Sequence, residues 1–229
     1  MNSISQSKHQ GPNLGILAMV FSILFITGLS FVISLSGKLP YFPGPWENAE
    51  TIASYFRNQP HDVLMCAFFQ FLSAIPLGIL SVTVVSRLQY FGTKAVGPYI
   101  ALFGGLMTAI NLALSALMLW VMAYSGIAQD TAVVRTLYYI TFAVGGVGYS
   151  VPLGLLIVGV AVTGGLIKRL PKWLVWFGLL LGLIGELSSL SLIFPKLVYL
   201  IPLTRFPGFI WLILMGFILP KTKEKELAK

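Results

Sequence analysis

Charge is what this sequence has least of. Only 10% of its 229 residues are charged, whereas 57% are hydrophobic, and the mean hydropathy is +0.88. Soluble globular domains carry about 25% charged residues. The composition therefore excludes an ordinary water-soluble domain and predicts a protein embedded in a membrane.

Cysteine and histidine are also scarce. Cys66 is the single cysteine and lies inside an apolar run, so the sequence offers neither a disulfide framework nor a CxxC metal pair. His9 and His61 are far apart in the sequence and have no metal-ligating neighbour at helical spacing. We expect no metal and no cofactor.

Catalytic motifs are missing as well. The sequence contains no HExxH, no GxSxG and no phosphate-binding glycine loop. Gly148-Tyr149-Ser150 resembles half of a nucleophile motif, but no histidine lies in the apolar runs to activate Ser150. We assign no catalytic residue. An intramembrane enzyme acting on a lipid or isoprenoid substrate would lack its acid–base partners.

What the sequence does contain is a series of long apolar runs, each long enough to cross about 30 Å of hydrocarbon as a helix. They predict an all-α fold with six transmembrane helices in three hairpins, in a single membrane domain over residues 1–229. The predicted spans are residues 14–35, 63–85, 100–124, 137–162, 173–193 and 197–219. Ser34-Leu35-Ser36 resembles a signal-peptidase site, but the preceding apolar run exceeds the roughly 7–15 residues of a signal peptide, which favours an uncleaved first helix.

The segment between the first two spans has its own pattern. Residues 38–45 are rich in proline, which forbids helix, and residues 46–58 are predicted to form a short amphipathic helix. The apolar face of that helix carries Trp46, Ala49, Ile52, Ala53 and Phe56. Two interpretations are open: a helix lying on the outer membrane surface, or a lid over a cavity between the spans.

Lysine and arginine are distributed unequally between the two sides. Six spans place both termini on one side, and ten of the 15 cations fall there: Lys8, Arg87, Lys94, Lys168, Arg169, Lys172, Lys221, Lys223, Lys225 and Lys229. This bias predicts cytoplasmic termini in a multi-pass protein of the cell inner (cytoplasmic) membrane. The basic side would attract anionic lipid headgroups, so the net charge of +8 needs no nucleic-acid partner.

Two opposite charges lie inside the last predicted hairpin. Glu186 and Arg205 are both nine or ten residues from the expected turn near Lys196, so antiparallel helices would bring them to the same depth. A charge within a membrane span is costly and by default marks a functional site with a partner. We therefore predict that Glu186 and Arg205 pair directly or through water.

The predicted ligand-binding residues surround this pair. They are Glu186, Arg205, Ser188, Ser189, Asn111 and Gln70. Pro202 and Pro207 also predict a break in the sixth helix at residues 203–206, which would free backbone groups to line a pocket. Three interpretations are open: an ion pair that fixes helix register, a ligand or ion site, or Arg205 extending to the outer surface beside a protonated Glu186.

Small residues and prolines within the spans predict close helix contacts and kinks. Gly178 and Gly182 form a GxxxG pattern, and Gly104 and Gly105 begin a second small-residue pattern. These patterns serve either packing within the chain or homodimerisation. Each interior proline, such as Pro152, frees a carbonyl that needs a partner inside the protein or in a wet cavity.

Leu203-Thr204-Arg205-Phe206-Pro207-Gly208-Phe209-Ile210-Trp211 and Leu72-Ser73-Ala74-Ile75-Pro76-Leu77-Gly78 carry a family resemblance. With these two stretches the chain resembles a group of small bacterial multi-pass membrane proteins of unknown function. The resemblance implies a helical fold in a bacterial inner membrane and transfers no site residue. Two functions remain open: binding or transport of a small solute at the Glu186/Arg205 site, or a structural or accessory subunit in which the pair only locks the fold.

Overall fold

The computed structural model describes residues 9–33 and 42–222, which form nine α-helices and two 3₁₀ segments. The helices are α1 (Leu14–Val32), α2 (Ala49–Asn58), α3 (Pro60–Tyr90), α4 (Gly97–Met122), α5 (Ser125–Ala128), α6 (Thr131–Gly145), α7 (Val147–Leu166), α8 (Lys172–Leu187) and α9 (Leu200–Ile218). The 3₁₀ segments, Ser188–Leu192 and Pro195–Tyr199, connect α8 to α9.

Six segments of the described chain are long and apolar enough to cross a membrane, which confirms the predicted all-α fold. The fourth of them consists of α6 and α7 together. Two of the helical segments extend clearly beyond the predicted spans: the second covers 60–90, where 63–85 was predicted, and the fourth covers 131–166, where 137–162 was predicted. The end of the first predicted span, residues 34–35, and the stretch Ser34-Leu35-Ser36 that resembles a signal-peptidase site lie outside the described residues.

The amphipathic helix between the first two spans is α2, which begins three residues later than predicted. Asn48 caps it by accepting a hydrogen bond from the Thr51 amide at 2.7 Å. Ile52, Ala53 and Phe56 are buried as predicted, whereas Trp46 precedes the helix and is 69% exposed. The apolar face of α2 packs mainly against α6.

The six spans form a closed ring. Each span packs against the next one in the chain, and α9 returns to pack against α1. We call the side where α2 and α5 lie the α2 side, and the opposite side, where residues 9–12 and 219–222 lie, the terminal side. On the terminal side the His9 amide donates to the Lys221 carbonyl at 2.9 Å.

Arg87 of α3 forms hydrogen bonds to both of the chain segments that meet where the ring closes. Its side chain is fully buried, with Nη2 3.1 Å from the Pro12 carbonyl and Nη1 3.4 Å from the Leu219 carbonyl. The two segments that flank α1 and α9 are therefore held by one side chain of α3.

The glycines of the small-residue patterns face neighbouring helices of the same chain. A Cβ at Gly104 would fall 2.5 Å from the Pro152 carbonyl oxygen, and one at Gly178 would fall 2.8 Å from the Ala161 Cβ. A Cβ at Gly185 would fall 3.1 Å from the Gly154 Cα. These glycines permit α7 to approach α4 and α8 closely, so they serve packing within the chain.

The predicted break at residues 203–206 is wrong. α9 runs without interruption from Leu200 to Ile218, through Pro207. Pro202 lies in the first helical turn, where an amide would have no helical partner in any case. The interruption lies instead in the fourth span, at Gly146, whose φ of −92° and ψ of −93° are not helical.

Candidate functional site

A cavity of about 280 Å³ lies inside the ring, in the half of the bundle towards the α2 side. Its walls come from α1, α3, α4, α6, α9 and residues 42–46 that precede α2. No residue of α8 lines it. Most lining side chains are apolar, among them Phe25, Leu29, Leu112, Leu119 and Ile201.

Arg205 is the charged residue of this cavity wall. It lies one helical turn after Ile201 and one before Phe209, on the face of α9 that packs against α1. Its guanidinium carbon is 5.4 Å from the centre of the Phe25 ring and 4.6 Å from the centre of the Tyr149 ring. Cation–π attraction to both rings offsets part of the cost of burying the charge.

The three guanidinium nitrogens of Arg205 have different surroundings. Nη2 donates to the Gly145 carbonyl. Nε is enclosed and has no hydrogen-bond partner. Nη1 has no partner within the described residues either, but it is not among the enclosed atoms, so it is the nitrogen left for a ligand.

The interruption at Gly146 explains why the Gly145 carbonyl accepts from Arg205. In a continuous helix this carbonyl would accept from the Tyr149 amide, which bonds to Gly146 O instead, at 3.3 Å. The broken fourth span thus supplies a free backbone acceptor at the depth of Arg205. The Gly145-Gly146 pair was the sequence signal for this break.

Asn111 contacts the backbone of α7 and does not line the cavity. Its side-chain amide donates to the Gly148 carbonyl. Gly148 lies four residues before Pro152, which has no amide hydrogen to donate. The predicted need for a partner at a proline-freed carbonyl is therefore met by Asn111.

Gln70, another predicted site residue, does line the cavity. It is only 8% exposed, and its side-chain amide has no hydrogen-bond partner within the described part of the chain. Ser115 and Thr141 also reach the wall, but their hydroxyls already donate to the carbonyls of Thr141 and Leu137. Arg205 Nη1 and the Gln70 amide, in contrast, are wall groups that form no hydrogen bond within the described residues.

Residues 42–46 cover the cavity on the α2 side. The Tyr138 hydroxyl donates to the Pro43 carbonyl, and the Gly44 amide is 3.1 Å from a Glu47 carboxylate oxygen. The Trp46 ring packs edge-on against Phe142, with 6.5 Å between ring centres. The cover is therefore residues 42–46 of the proline-rich link, which contact α6. The helix α2 packs against this link through Tyr55 and Phe56. Residues 38–41 of the link lie outside the described residues.

The predicted direct ion pair between Glu186 and Arg205 is not formed. Among the described residues Arg57 pairs with Glu50 and the His61 ring is 3.5 Å from the Asp62 carboxylate, whereas Glu186 is exposed on the outside of the bundle. Glu186 shares a helical face with the exposed Leu183, Leu187 and Leu190. The packed face of α8, which includes Gly178, Gly182 and Gly185, points towards α7 and α9.

Ser188 and Ser189 follow Glu186 away from the cavity. The Ser188 hydroxyl donates to the Gly185 carbonyl at 2.5 Å, and the Ser189 hydroxyl donates to the Glu186 carbonyl at 2.6 Å. Neither residue lines the cavity. Of the six predicted ligand-binding residues, the structure brings Arg205 and Gln70 to one cavity and separates the other four from it.

Sequence reasoning missed Phe25 and Tyr149, the aromatic partners of Arg205, and it missed Cys66 as a wall residue. Aromatic rings are frequent in the apolar runs, so nothing in the sequence distinguishes these two from packing residues. No group of three or more potential metal ligands occurs in residues 9–33 and 42–222.

Comparison of the chain with family models, with curated proteins and with solved structures finds no match. The resemblance carried by residues 203–211 and 72–78 therefore stays a prediction. Six apolar helices are consistent with a multi-pass membrane protein, and the function has to be argued from the cavity itself.

Proposed function

We propose that this protein is a multi-pass protein of a bacterial inner membrane that binds a small solute in the Arg205 cavity. The cytoplasmic termini expected from the cation bias would place the α2 side outside, so the solute would arrive from there. The cavity is then a receptor site or the outward-facing site of a transporter. Anionic lipid headgroups would associate with the basic terminal side.

One observation carries the proposal: the cavity wall holds polar atoms that the protein does not use. Arg205 Nη1 and the side-chain amide of Gln70 form no hydrogen bond within the described residues, and both residues line a cavity of about 280 Å³. An apolar cavity with a few unpaired polar groups is the usual form of a small-molecule site.

The contact between Arg205 and Gly145 favours a second candidate function, that of a structural or accessory subunit. In that case Arg205 only braces the interrupted fourth span, and no solute enters. Arg205→Gln would then reduce the yield of folded protein, a partner protein would co-purify, and added solutes would leave the cavity unchanged.

Cys66 offers a test, because the one cysteine of the sequence lines this cavity. Because Cys66 is only 1% exposed, methyl methanethiosulfonate can reach its thiol in the folded protein only through the cavity, and the rate can be followed by mass spectrometry of the intact protein. Three probes would be added in turn at equal concentration: hexanoate, 1-hexanol and hexylammonium. The proposal expects at least one of them to slow the modification, because a bound solute shields the thiol.

The controls separate binding from unfolding and from membrane effects. Cys66→Ser must abolish the mass shift, and Glu186→Gln must behave as the native chain does. In sealed right-side-out vesicles, a charged membrane-impermeant thiosulfonate should reach Cys66 from outside and not from inside. A thiol that reacts only after denaturation, or that none of the three probes shields, would overturn the proposed function.

A further inference from the structure

The charge of the cavity wall is unbalanced. Arg205 lines the wall, but no aspartate or glutamate does. Arginine stays protonated at every physiological pH. The acid nearest in sequence to a wall residue, Glu47, uses its carboxylate to accept from the Gly44 amide and forms no ion pair with Arg205. A cation in surroundings of low dielectric therefore lacks a counter-charge from the described residues.

From this imbalance we infer that the solute is an amphiphilic anion, with a single small anionic head and an apolar body. The inference rests on the proposed function and names its ligand class. The head, a carboxylate or a phosphate ester, accepts hydrogen bonds from Arg205 Nη1 and the Gln70 amide. A charge-assisted hydrogen bond of this kind is about twice as strong as a neutral one, and the bound anion neutralises the guanidinium.

The geometry of the guanidinium limits the size of the head. Nη2 is engaged with the Gly145 carbonyl and Nε is enclosed, so Arg205 cannot grip an anion with two parallel hydrogen bonds. One free nitrogen suits a head that presents one oxygen to the arginine and another to Gln70. A multiply charged head, such as a diphosphate, would meet only one cation in the cavity wall, and its remaining negative charge would have no partner there.

The remaining walls suit the apolar body. Phe25, Leu29, Leu112, Leu119 and Ile201 present hydrocarbon around the cavity. A volume of about 280 Å³ equals that of about nine water molecules at about 30 Å³ each. This accommodates a short-chain carboxylate entirely, or the head and first carbons of a longer lipid anion.

The first measurement needs no variant and uses the native chain. Cys66 is modified with a sulfonate-bearing and with a trimethylammonium-bearing methanethiosulfonate, and each rate is divided by that of a free thiol. We expect the anionic reagent to react faster by about tenfold or more, because an unpaired cation concentrates anions in a cavity of low dielectric. Equal normalised rates, or a faster cationic reagent, would overturn the inference.

The second measurement compares how the three probes shield Cys66. Hexanoate should slow its modification at concentrations where 1-hexanol and hexylammonium do not. Arg205→Lys should keep part of this selectivity and Arg205→Gln should remove it. Because Arg205→Gln also removes the brace on Gly145, Gln70→Leu is the second variant, and it should weaken shielding by hexanoate while the chain stays folded.

The outcomes separate the inference from the proposed function. If 1-hexanol or hexylammonium shields Cys66 as well as hexanoate does, a solute site exists but is not specific for anions, and the inference fails alone. If no probe shields the thiol, both fail. Reconstitution of the protein into phosphatidylcholine with and without phosphatidylglycerol shows whether the bound anion comes from the membrane or from the water. Shielding by phosphatidylglycerol alone indicates a membrane lipid, and shielding only by added hexanoate indicates a water-soluble anion.

Discussion

The side-chain amide of Asn111 donates a hydrogen bond to the Gly148 carbonyl, which Pro152 leaves without a helical donor. A residue of α4 thus completes the backbone hydrogen bonding of α7. Water is scarce in the middle of a membrane, so a freed carbonyl there requires such a partner. Asn111 is therefore a structural residue of the bundle.

Asn111→Leu should destabilise the folded protein by about 1–3 kcal/mol, because it leaves the Gly148 carbonyl buried without a donor. Pro152→Ala restores an amide that can reach the same carbonyl. In the double variant the cost of Asn111→Leu should therefore shrink. Reversible unfolding in mixed micelles would give the free energy of unfolding of the native chain, of each single variant and of the double variant. Strictly additive effects of the two substitutions would contradict the assignment.

Gly104→Ala should weaken the contact between α4 and α7. The new methyl group would lie 2.5 Å from the Pro152 carbonyl oxygen and 2.6 Å from the Leu156 nitrogen, both of which are backbone atoms that cannot rotate away. We expect a loss of about 1–3 kcal/mol, the usual cost of overpacking, seen as a lower thermal midpoint. Gly126→Ala is the matched control, because nothing lies within 4 Å of its Cβ, and it should be neutral or slightly stabilising.

Docking of residues 9–12 should depend on pH through His9. Burial, and then the charges of Arg87 and Lys221, lower the pKa of His9 below its ordinary 6.5. Its ring is 3.1 Å from the Ser86 hydroxyl. Between the lowered pKa and 6.5 the undocked segment binds more protons than the docked one. The free energy that holds residues 9–12 in place is therefore at its full value above about pH 6.5, and it decreases as the pH falls below that value.

Hydrogen exchange of the His9 amide, which bonds to Lys221 O, would measure this docking. Its protection should fall between pH 6.5 and pH 5 after correction for the intrinsic exchange rate. His9→Gln cannot titrate in this range and should give a flat profile. A native profile as flat as that of the variant would show that His9 does not control the docking.

Tyr138→Phe should loosen the cover of the cavity, because it removes the hydrogen bond to the Pro43 carbonyl and nothing else from the contact. We expect faster modification of Cys66 by methyl methanethiosulfonate, together with a loss of stability of about 1 kcal/mol. Tyr139→Phe is the control, since Tyr139 is 44% exposed and does not line the cavity. An unchanged rate at Cys66 would mean that residues 42–46 do not limit access.

Glu186→Gln should leave the stability of the folded protein unchanged or raise it, as expected when a charge without a partner is removed from a membrane span. The reason is that Glu186 faces outward on α8 and forms no ion pair with Arg205. Urea unfolding of the two proteins would measure the difference. A loss of stability as large as that caused by Arg205→Gln would instead support the Glu186–Arg205 pair that the sequence predicted.

The six spans and their helical type could be predicted from the sequence because both depend on local properties, whereas α5 and the division of the fourth span into α6 and α7 were not predicted. Length and hydropathy define each span, but the starts of α2 and α6 were predicted at residues 46 and 137, whereas the caps Asn48 and Asp130 place them at Ala49 and Thr131. A polar partner for a proline-freed carbonyl also follows from the chemistry of the backbone alone. Each of these inferences needs only neighbouring residues.

The direction in which a side chain points depends on which helices surround it, and this information is not local. Counting residues from the turn gave Glu186 and Arg205 similar depths but no rotation about the helix axes. Arg205 turned inward because Ile201 and Phe209 share its packed face. Glu186 turned outward with Leu183 and Leu187. The cavity followed from the ring of helices, which no single pattern in the chain encodes.

The return of α9 to α1 has a consequence for biosynthesis. A Cβ at Gly216 would fall 2.5 Å from the Gly15 nitrogen, so the two helices touch along bare backbone. Because α1 leaves the ribosome first and α9 last among these helices, that flank of α1 stays uncovered until translation of α9 is complete. The contact that closes the ring therefore forms last, and until then this flank of α1 faces lipid or the insertion machinery.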